Sequence, residues 1–198
     1  MSKMSIKCLL FGGAFDPIHF GHLYKISEVL DILKYDRAIF IPTYKNMFGK
    51  KMAPGFARCA MIQKAINDFG DNRLKLSKFE IKHKLKANTF VVLTKLLQNV
   101  DLSKYKMSCV IGSDQAVLIH KWGNWEKLLQ LLPFVVMTRS LNDKIPSVFF
   151  QHPHKVVKIK PINISSTKIR QLIRSGDIPN NLLTKNTLKY IRENALYV

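Results

Sequence analysis

The sequence predicts an α/β fold in which a doubly wound parallel sheet carries helices on both faces. Three observations predict it. Short apolar runs of strand character alternate with segments whose apolar residues recur at helical spacing. Several of those runs, Lys7–Phe11 and Lys106–Ile111 among them, are apolar nearly throughout, as strands covered on both faces are. No internal repeat or low-complexity linker interrupts the 198 residues. That length suits one domain spanning residues 1–198, with a C-terminal helical part from about residue 164.

The elements follow in order. Lys7–Phe11 reads as a buried strand, broken by Gly12 and Gly13. A helix runs from about Gly21 to Leu33, with Leu23, Ile26, Val29, Leu30 and Leu33 at helical spacing. Arg37–Ile41 is a strand stopped by Pro42, and residues 43–54 form a loop containing Lys and Gly. Gly55–Asn67 reads as a helix with Phe56, Met61, Ile62, Ala65 and Ile66 on one side. Leu74–Ile81 alternates as a strand does, and Thr89–Asn99 is helical. Lys106–Ile111 is a strand, Glu126–Leu132 a helix, and Phe134–Thr138 and Lys155–Ile159 are strands. Helices over Thr167–Ser175 and Asn186–Asn194 close the chain. Right-handed crossovers between such units give a Rossmann-like arrangement, in which ligands bind at the carboxyl ends of strands where their order reverses.

Composition narrows the functional classes. Hydrophobic residues make up 47% of the chain, enough for a sizeable core, and nothing resembles a disordered protein. Lys and Arg number 32 against 13 Asp and Glu, a formal charge of +19. That balance favours anionic partners, but the lysines are scattered along the chain, as on a solvated surface, and not clustered as in nucleic-acid binders. Cys8, Cys59 and Cys109 form no CxxC pair and read as buried, reduced thiols. The first residues lack the long apolar stretch of a signal peptide, and no span of about 20 apolar residues occurs. The expectation is a soluble cytoplasmic protein that engages neither membrane nor nucleic acid.

Two motifs carry chemistry. GGAFDPIHFGH, residues 12–22, directly follows the first strand. Gly12 and Gly13 let the backbone turn and approach a ligand closely. His19 and His22, three residues apart at a helix start, share one face. The free N–H groups of that helix end, with two imidazole donors, suit phosphate oxygens. No Gly-Lys-Ser/Thr or GxGxxG pattern is present, so this is neither a Walker loop nor a dinucleotide fingerprint. Histidines three apart could ligate zinc, but no carboxylate accompanies them at matching spacing, and no protein-held metal is expected. In ISSTKIR, residues 164–170, Ser165, Ser166 and Thr167 offer capping hydroxyls ahead of an apolar helix, with Arg170 in reach of an anion at its tip. The same pattern would also cap an ordinary surface helix. Gly112 and Asp114 follow a strand, where a carboxylate can accept bonds from ribose hydroxyls.

The first motif resembles the HxGH signature of the nucleotidyltransferase superfamily of adenylyl and cytidylyl transferases. Within it, the nearest pattern is that of bacterial-type nicotinate-mononucleotide adenylyltransferases. The resemblance implies that His19, His22 and Arg170 act on the reacting phosphates. It implies that Gly12, Gly13, Phe15, Gly112, Asp114 and residues Ile164, Ser165, Ser166 and Thr167 bind ATP. Asp16, Lys45, Thr89 and Trp122 would take the mononucleotide, Thr89 near its pyridine carboxylate and Trp122 near its ring. Arg58 and Met61 are similar to the family's RxxM helix, Glu80 to its acidic position, and Leu196-Tyr197 to its C-terminal LY. The chain departs from the family in three places. Asn88 replaces the Tyr before Thr89, Tyr44-Lys45 and Lys50-Lys51 stand where a PPHK element is usual, and Ser140-Leu141 supplies no Gly after Arg139.

The implied reaction moves an adenylyl group from ATP to nicotinate mononucleotide, giving deamido-NAD and pyrophosphate in NAD biosynthesis. Mg²⁺ is expected on the ATP phosphates, because this ion keeps water and phosphate ligands. Alternatives left open are nicotinamide mononucleotide or phosphopantetheine as acceptor, cytidylyl transfer, and a basic RNA-binding protein on the same fold. The oligomeric state also stays open, a homodimer among the options.

Overall fold

The computed structural model of the chain describes residues 5–45, 49, 51–140 and 143–198. Six strands form one parallel sheet: β1 (Ile6–Gly13), β2 (Arg37–Pro42), β3 (Leu74–Leu76), β4 (Tyr105–Gly112), β5 (Phe134–Thr138) and β6 (His154–Lys158). Their order across the sheet is β3-β2-β1-β4-β5-β6, so the winding reverses between β1 and β4.

Among the described residues, eight α-helices flank them: α1 (Phe20–Leu33), α2 (Gly55–Phe69), α3 (Phe79–Lys82), α4 (Thr89–Leu97), α5 (Ser113–Val117), α6 (Trp125–Leu131), α7 (Ser166–Arg174) and α8 (Lys185–Glu193). The period-2 alternation of the central strands splits the buried side chains into two cores. Leu9, Val110 and Val135 point to one face, where α1, α2, α7 and α8 bring Leu23, Met61, Ile169 and Ile191. Cys8, Leu10, Cys109 and Val136 point to the other, where α4 and α6 bring Leu93 and Leu128. The predicted class is the observed one, with both faces covered.

Three local expectations are corrected. Gly12 and Gly13 do not break β1, because both pair with β2, at Ile41 and Pro42, and so continue the ladder. The strand expected over Leu74–Ile81 stops at Leu76. It is an edge strand pairing with β2 over three residues, and the Ser77 hydroxyl then accepts the Phe79 N–H, turning the chain into α3. Phe56 is 70% exposed although Met61 and Ile62 are buried. It lies two residues before the buried Arg58, roughly 200° around the helix axis from it.

Candidate functional site

The carboxyl ends of β1 and β4 diverge at the reversal point and open a cavity of about 580 Å³. Gly12, Gly13 and Gly112 form its floor, Glu80 one wall, and Asn88, Thr89 and Trp122 line it further. Two of these glycines have a close neighbour, while a Cβ on Gly12 would meet nothing within 4 Å. A Cβ on Gly112 would lie 2.5 Å from the Asp114 carboxylate, which folds back over the strand end. One on Gly13 would lie 3.0 Å from the Phe15 ring. Phe15 holds a left-handed φ of 47° and is buried. Its ring stands edge-on to His22 at 5.2 Å and packs on Phe11 and Phe40, so it braces the histidine from the core side.

His19 caps α1, and His22 lies one turn on. Their rings stack with centroids 3.7 Å apart, and the His19 backbone N–H donates to His22 Nδ1 at 3.3 Å. An accepting Nδ1 leaves the proton on Nε2, so His22 presents an N–H donor. His19 is 4% exposed, and its Nδ1 has no hydrogen-bond partner among the described residues. Between them, a Cβ on Gly21 would sit tightly, 3.0 Å from His19 Nδ1 and 3.4 Å from the Ile164 side chain. Burial, reinforced by Lys25, pushes the His19 pKa down to about 3. Burial, His19 and Lys25 hold His22 well below the usual range too. Both imidazoles are therefore neutral donors at neutral pH.

The second motif reaches the same place from the far end of the chain. Ser165 caps α7 by accepting the Lys168 N–H at 3.2 Å. The Ser166 hydroxyl donates to the Pro17 carbonyl at 2.9 Å. Arg170 donates to the Asp16 carbonyl at 2.7 Å and to the Thr167 hydroxyl at 3.2 Å. These bonds bring the amino end of α7 beside that of α1, and two sets of helix-end N–H groups converge.

Not every sequence-predicted residue faces the cavity. Asp16 is buried, and its Oδ1 accepts from the Tyr197 hydroxyl at 2.7 Å and the Ala53 N–H at 3.1 Å, tying the chain's last residues to the first loop. Lys45 is exposed on the loop after β2, away from the cavity lining. Lys50 and Leu141 lie outside the described residues. Asp114 is exposed at the start of α5, while Thr89 and Trp122 sit on the wall.

Sequence reading gave no site role to two supporting groups. Arg58, fully buried, donates to the carbonyls of Ala53, Ala14 and Thr43 at 2.9, 2.7 and 2.5 Å and so ties the loop after β1 to both ends of the loop between β2 and α2. Glu80, 5% exposed on the cavity wall, accepts the Tyr44 N–H at 2.7 Å. Burial pushes its pKa up to about 7, against the lowering effects of that N–H and of Arg58. The one available signal was the family-like position of both residues. Among the described residues no group of three or more His, Cys, Asp or Glu is placed to hold a metal, and no helix is long and apolar enough to cross a membrane.

Comparison with known proteins agrees with this geometry. Residues 10–172 match the model of the cytidylyltransferase-like family. A protein of Methylacidiphilum infernorum named "Probable nicotinate-nucleotide adenylyltransferase" is 31% identical, over 98% of this chain and 93% of its own length. One of the same name from Caldicellulosiruptor saccharolyticus is 32% identical, over 97% and 99%. Among solved structures, a Plasmodium falciparum nicotinic acid mononucleotide adenylyltransferase complexed with NaAD shares the fold, with a TM-score of 0.80 at 20% identity and 97% of each chain covered. The same protein complexed with APC gives 0.76.

Proposed function

The chain belongs to the cytidylyltransferase-like family and, within it, to the nicotinate-nucleotide adenylyltransferases, and we propose that it transfers the adenylyl group of ATP to nicotinate mononucleotide. The observation that carries this reading is the convergence of two helix amino ends and two neutral imidazoles beside a cavity at the sheet's reversal point.

The acceptor's 5′-phosphate oxygen attacks the α-phosphorus of ATP. The new P–O bond forms as the bond from the α-phosphorus to the α,β-bridging oxygen breaks, and pyrophosphate leaves in line. The acceptor phosphate is already deprotonated at neutral pH, so no protein nucleophile or general base is required. The chain's work is positioning and charge stabilisation. His22 Nε2–H and the amino ends of α1 and α7 donate to phosphate oxygens, and Arg170 holds the α7 end against residues 16–17 while presenting its charge. Donors held by buried neighbours need no reorganisation as charge moves toward pyrophosphate. The whole chain acts as one unit in this reading, since Arg170 bonds the Asp16 backbone and Tyr197 its side chain.

Mg²⁺ carried on the ATP phosphates supplies charge neutralisation when bound. The donor set fits an ion held by phosphate and water: Asp16 Oδ1 is shared between Tyr197 and Ala53, and Asp114 stands as a single exposed carboxylate. The mononucleotide occupies the cavity between Glu80, Trp122 and the amino end of α4, whose N–H groups favour a pyridine carboxylate over a neutral amide. The test is incubation with ATP, Mg²⁺ and nicotinate mononucleotide, with products identified by mass. Deamido-NAD and pyrophosphate are expected in equal amounts, and failure to form any dinucleotide would sink the reading.

A further inference from the structure

Lys25 lies on α1 three residues after His22, and so on the same face as that imidazole. It is half-buried. Its electrostatic neighbours come from three elements: His19 and His22 on α1, Arg139 at the end of β5, and Asp114 at the start of α5. Four of these five groups, Lys25 included, are basic. Among the described residues no carboxylate lies within 4.0 Å of the Lys25 ammonium. Glu28, the carboxylate one turn further along α1, instead accepts the Lys160 backbone N–H with both oxygens, at 3.2 and 3.1 Å.

A half-buried ammonium without an ion-pair partner, set beside another cation, is an unfavourable arrangement in the free protein. Burial and Arg139 both lower its pKa, and Asp114 offsets this in part. An anion seated among Lys25, Arg139 and the imidazoles reverses each of these costs. The imidazoles are neutral and supply donors without formal charge, and Arg170 already spends N–H groups on Asp16 and Thr167. Arg170 keeps its formal charge, since both of its partners are neutral, and a second cation at this end of α1 adds to it against a polyphosphate.

We infer that the Lys25 ammonium is a further phosphate-binding group of α1, which takes an oxygen of the β- or γ-phosphate of ATP and stays with pyrophosphate as it leaves. This rests on the reading of the site as an adenylyl-transfer centre. A free-standing role in folding would give Lys25 the opposite energetic signature, because a structural lysine stabilises the protein that lacks ligand.

Equilibrium titration of the full chain with MgATP, inorganic pyrophosphate and AMP tests it, alongside thermal melting without ligand. Lys25→Met keeps the stem and removes the charge. It is expected to weaken ATP and pyrophosphate binding by about tenfold, the scale of one charge-assisted hydrogen bond, and AMP by less than about threefold. Its melting temperature without ligand should equal or exceed that of the wild type. Lys25→Arg should restore most of the affinity. ATP and pyrophosphate affinities in Lys25→Met within about twofold of wild type would overturn the inference, as would an equal loss for AMP, or weakened binding accompanied by a lower melting temperature. Wild-type protein that binds neither ATP nor pyrophosphate overturns the proposed function as well, whereas wild-type binding matched by Lys25→Met overturns this inference alone.

Discussion

Glu80 makes stability fall as pH rises toward neutrality, and Glu80→Gln should abolish that fall. The carboxyl is 5% exposed and accepts one N–H, from Tyr44. Burial raises its pKa from the ordinary 4.5 to about 7. Below 4.5 the native and unfolded chains both hold the proton. Between 4.5 and 7 the unfolded chain releases it and the native chain keeps it, so unfolding gains free energy as pH rises. Above 7 both are ionised and the effect is complete. At about 1.4 kcal/mol per pH unit, a window of 7 − 4.5 amounts to about 3 kcal/mol of stability present at pH 4.5 and lost by pH 8. Gln keeps an oxygen for the Tyr44 N–H and does not ionise. Denaturant unfolding at intervals from pH 5 to 8 reads the difference. The variant should gain on the wild type steadily with pH and exceed it at pH 8. A wild-type-minus-variant difference that is flat across the range, or that grows in the wild type's favour, refutes the argument that burial dominates at this position.

Other perturbations follow from the same geometry. His22→Ala removes a donor aimed at the phosphates, and turnover should drop by about 10²-fold with folding intact; wild-type turnover in that variant would take His22 out of the site. Arg170→Lys keeps the charge but loses the planar fork that bonds Asp16 and Thr167, so it should raise the ATP requirement, with Arg170→Ala worse. Unimpaired kinetics in both would reduce residues 164–170 to a capped helix. Gly123→Ala would place a Cβ 2.6 Å from the Asn88 amide, whose Oδ1 accepts the Val91 N–H at 3.1 Å and caps α4. Displacing that cap should cost about 1 kcal/mol and raise KM for the mononucleotide more than for ATP, and equal changes in the two constants would count against the wall assigned to Asn88 and Trp122.

The parts of the fold that were legible in the sequence depend on local pattern. The continuous apolar runs of β1 and β4 announce strands buried on both faces, and the spacing of Leu23, Ile26 and Leu30 announces α1. His19 and His22 could be placed together because helical spacing over one turn leaves little choice. What failed depended on partners distant in sequence. The end of β3 is set by its three-residue pairing with β2, which no pattern in Leu74–Ile81 encodes. Phe56 read with the apolar residues on one side of α2, yet the helix turns it away from the buried arc. The Asp16–Tyr197 bond joins residues 181 positions apart, so only a folded chain reveals that this carboxylate is already engaged. Arg58 read only as a position similar to the family's RxxM helix, and its burial follows from three loop carbonyls that converge on it.

In the proposed function this site joins ATP to a pyridine mononucleotide bearing a carboxylate. The most direct measurement is competition between nicotinate and nicotinamide mononucleotides at equal concentration, with ATP and Mg²⁺, products separated and identified by mass. The amino end of α4 and its N–H donors should favour the acid by roughly tenfold or more in kcat/KM, about 1.4 kcal/mol, so deamido-NAD should dominate. A majority of NAD among the products, or no dinucleotide at all, would contradict it.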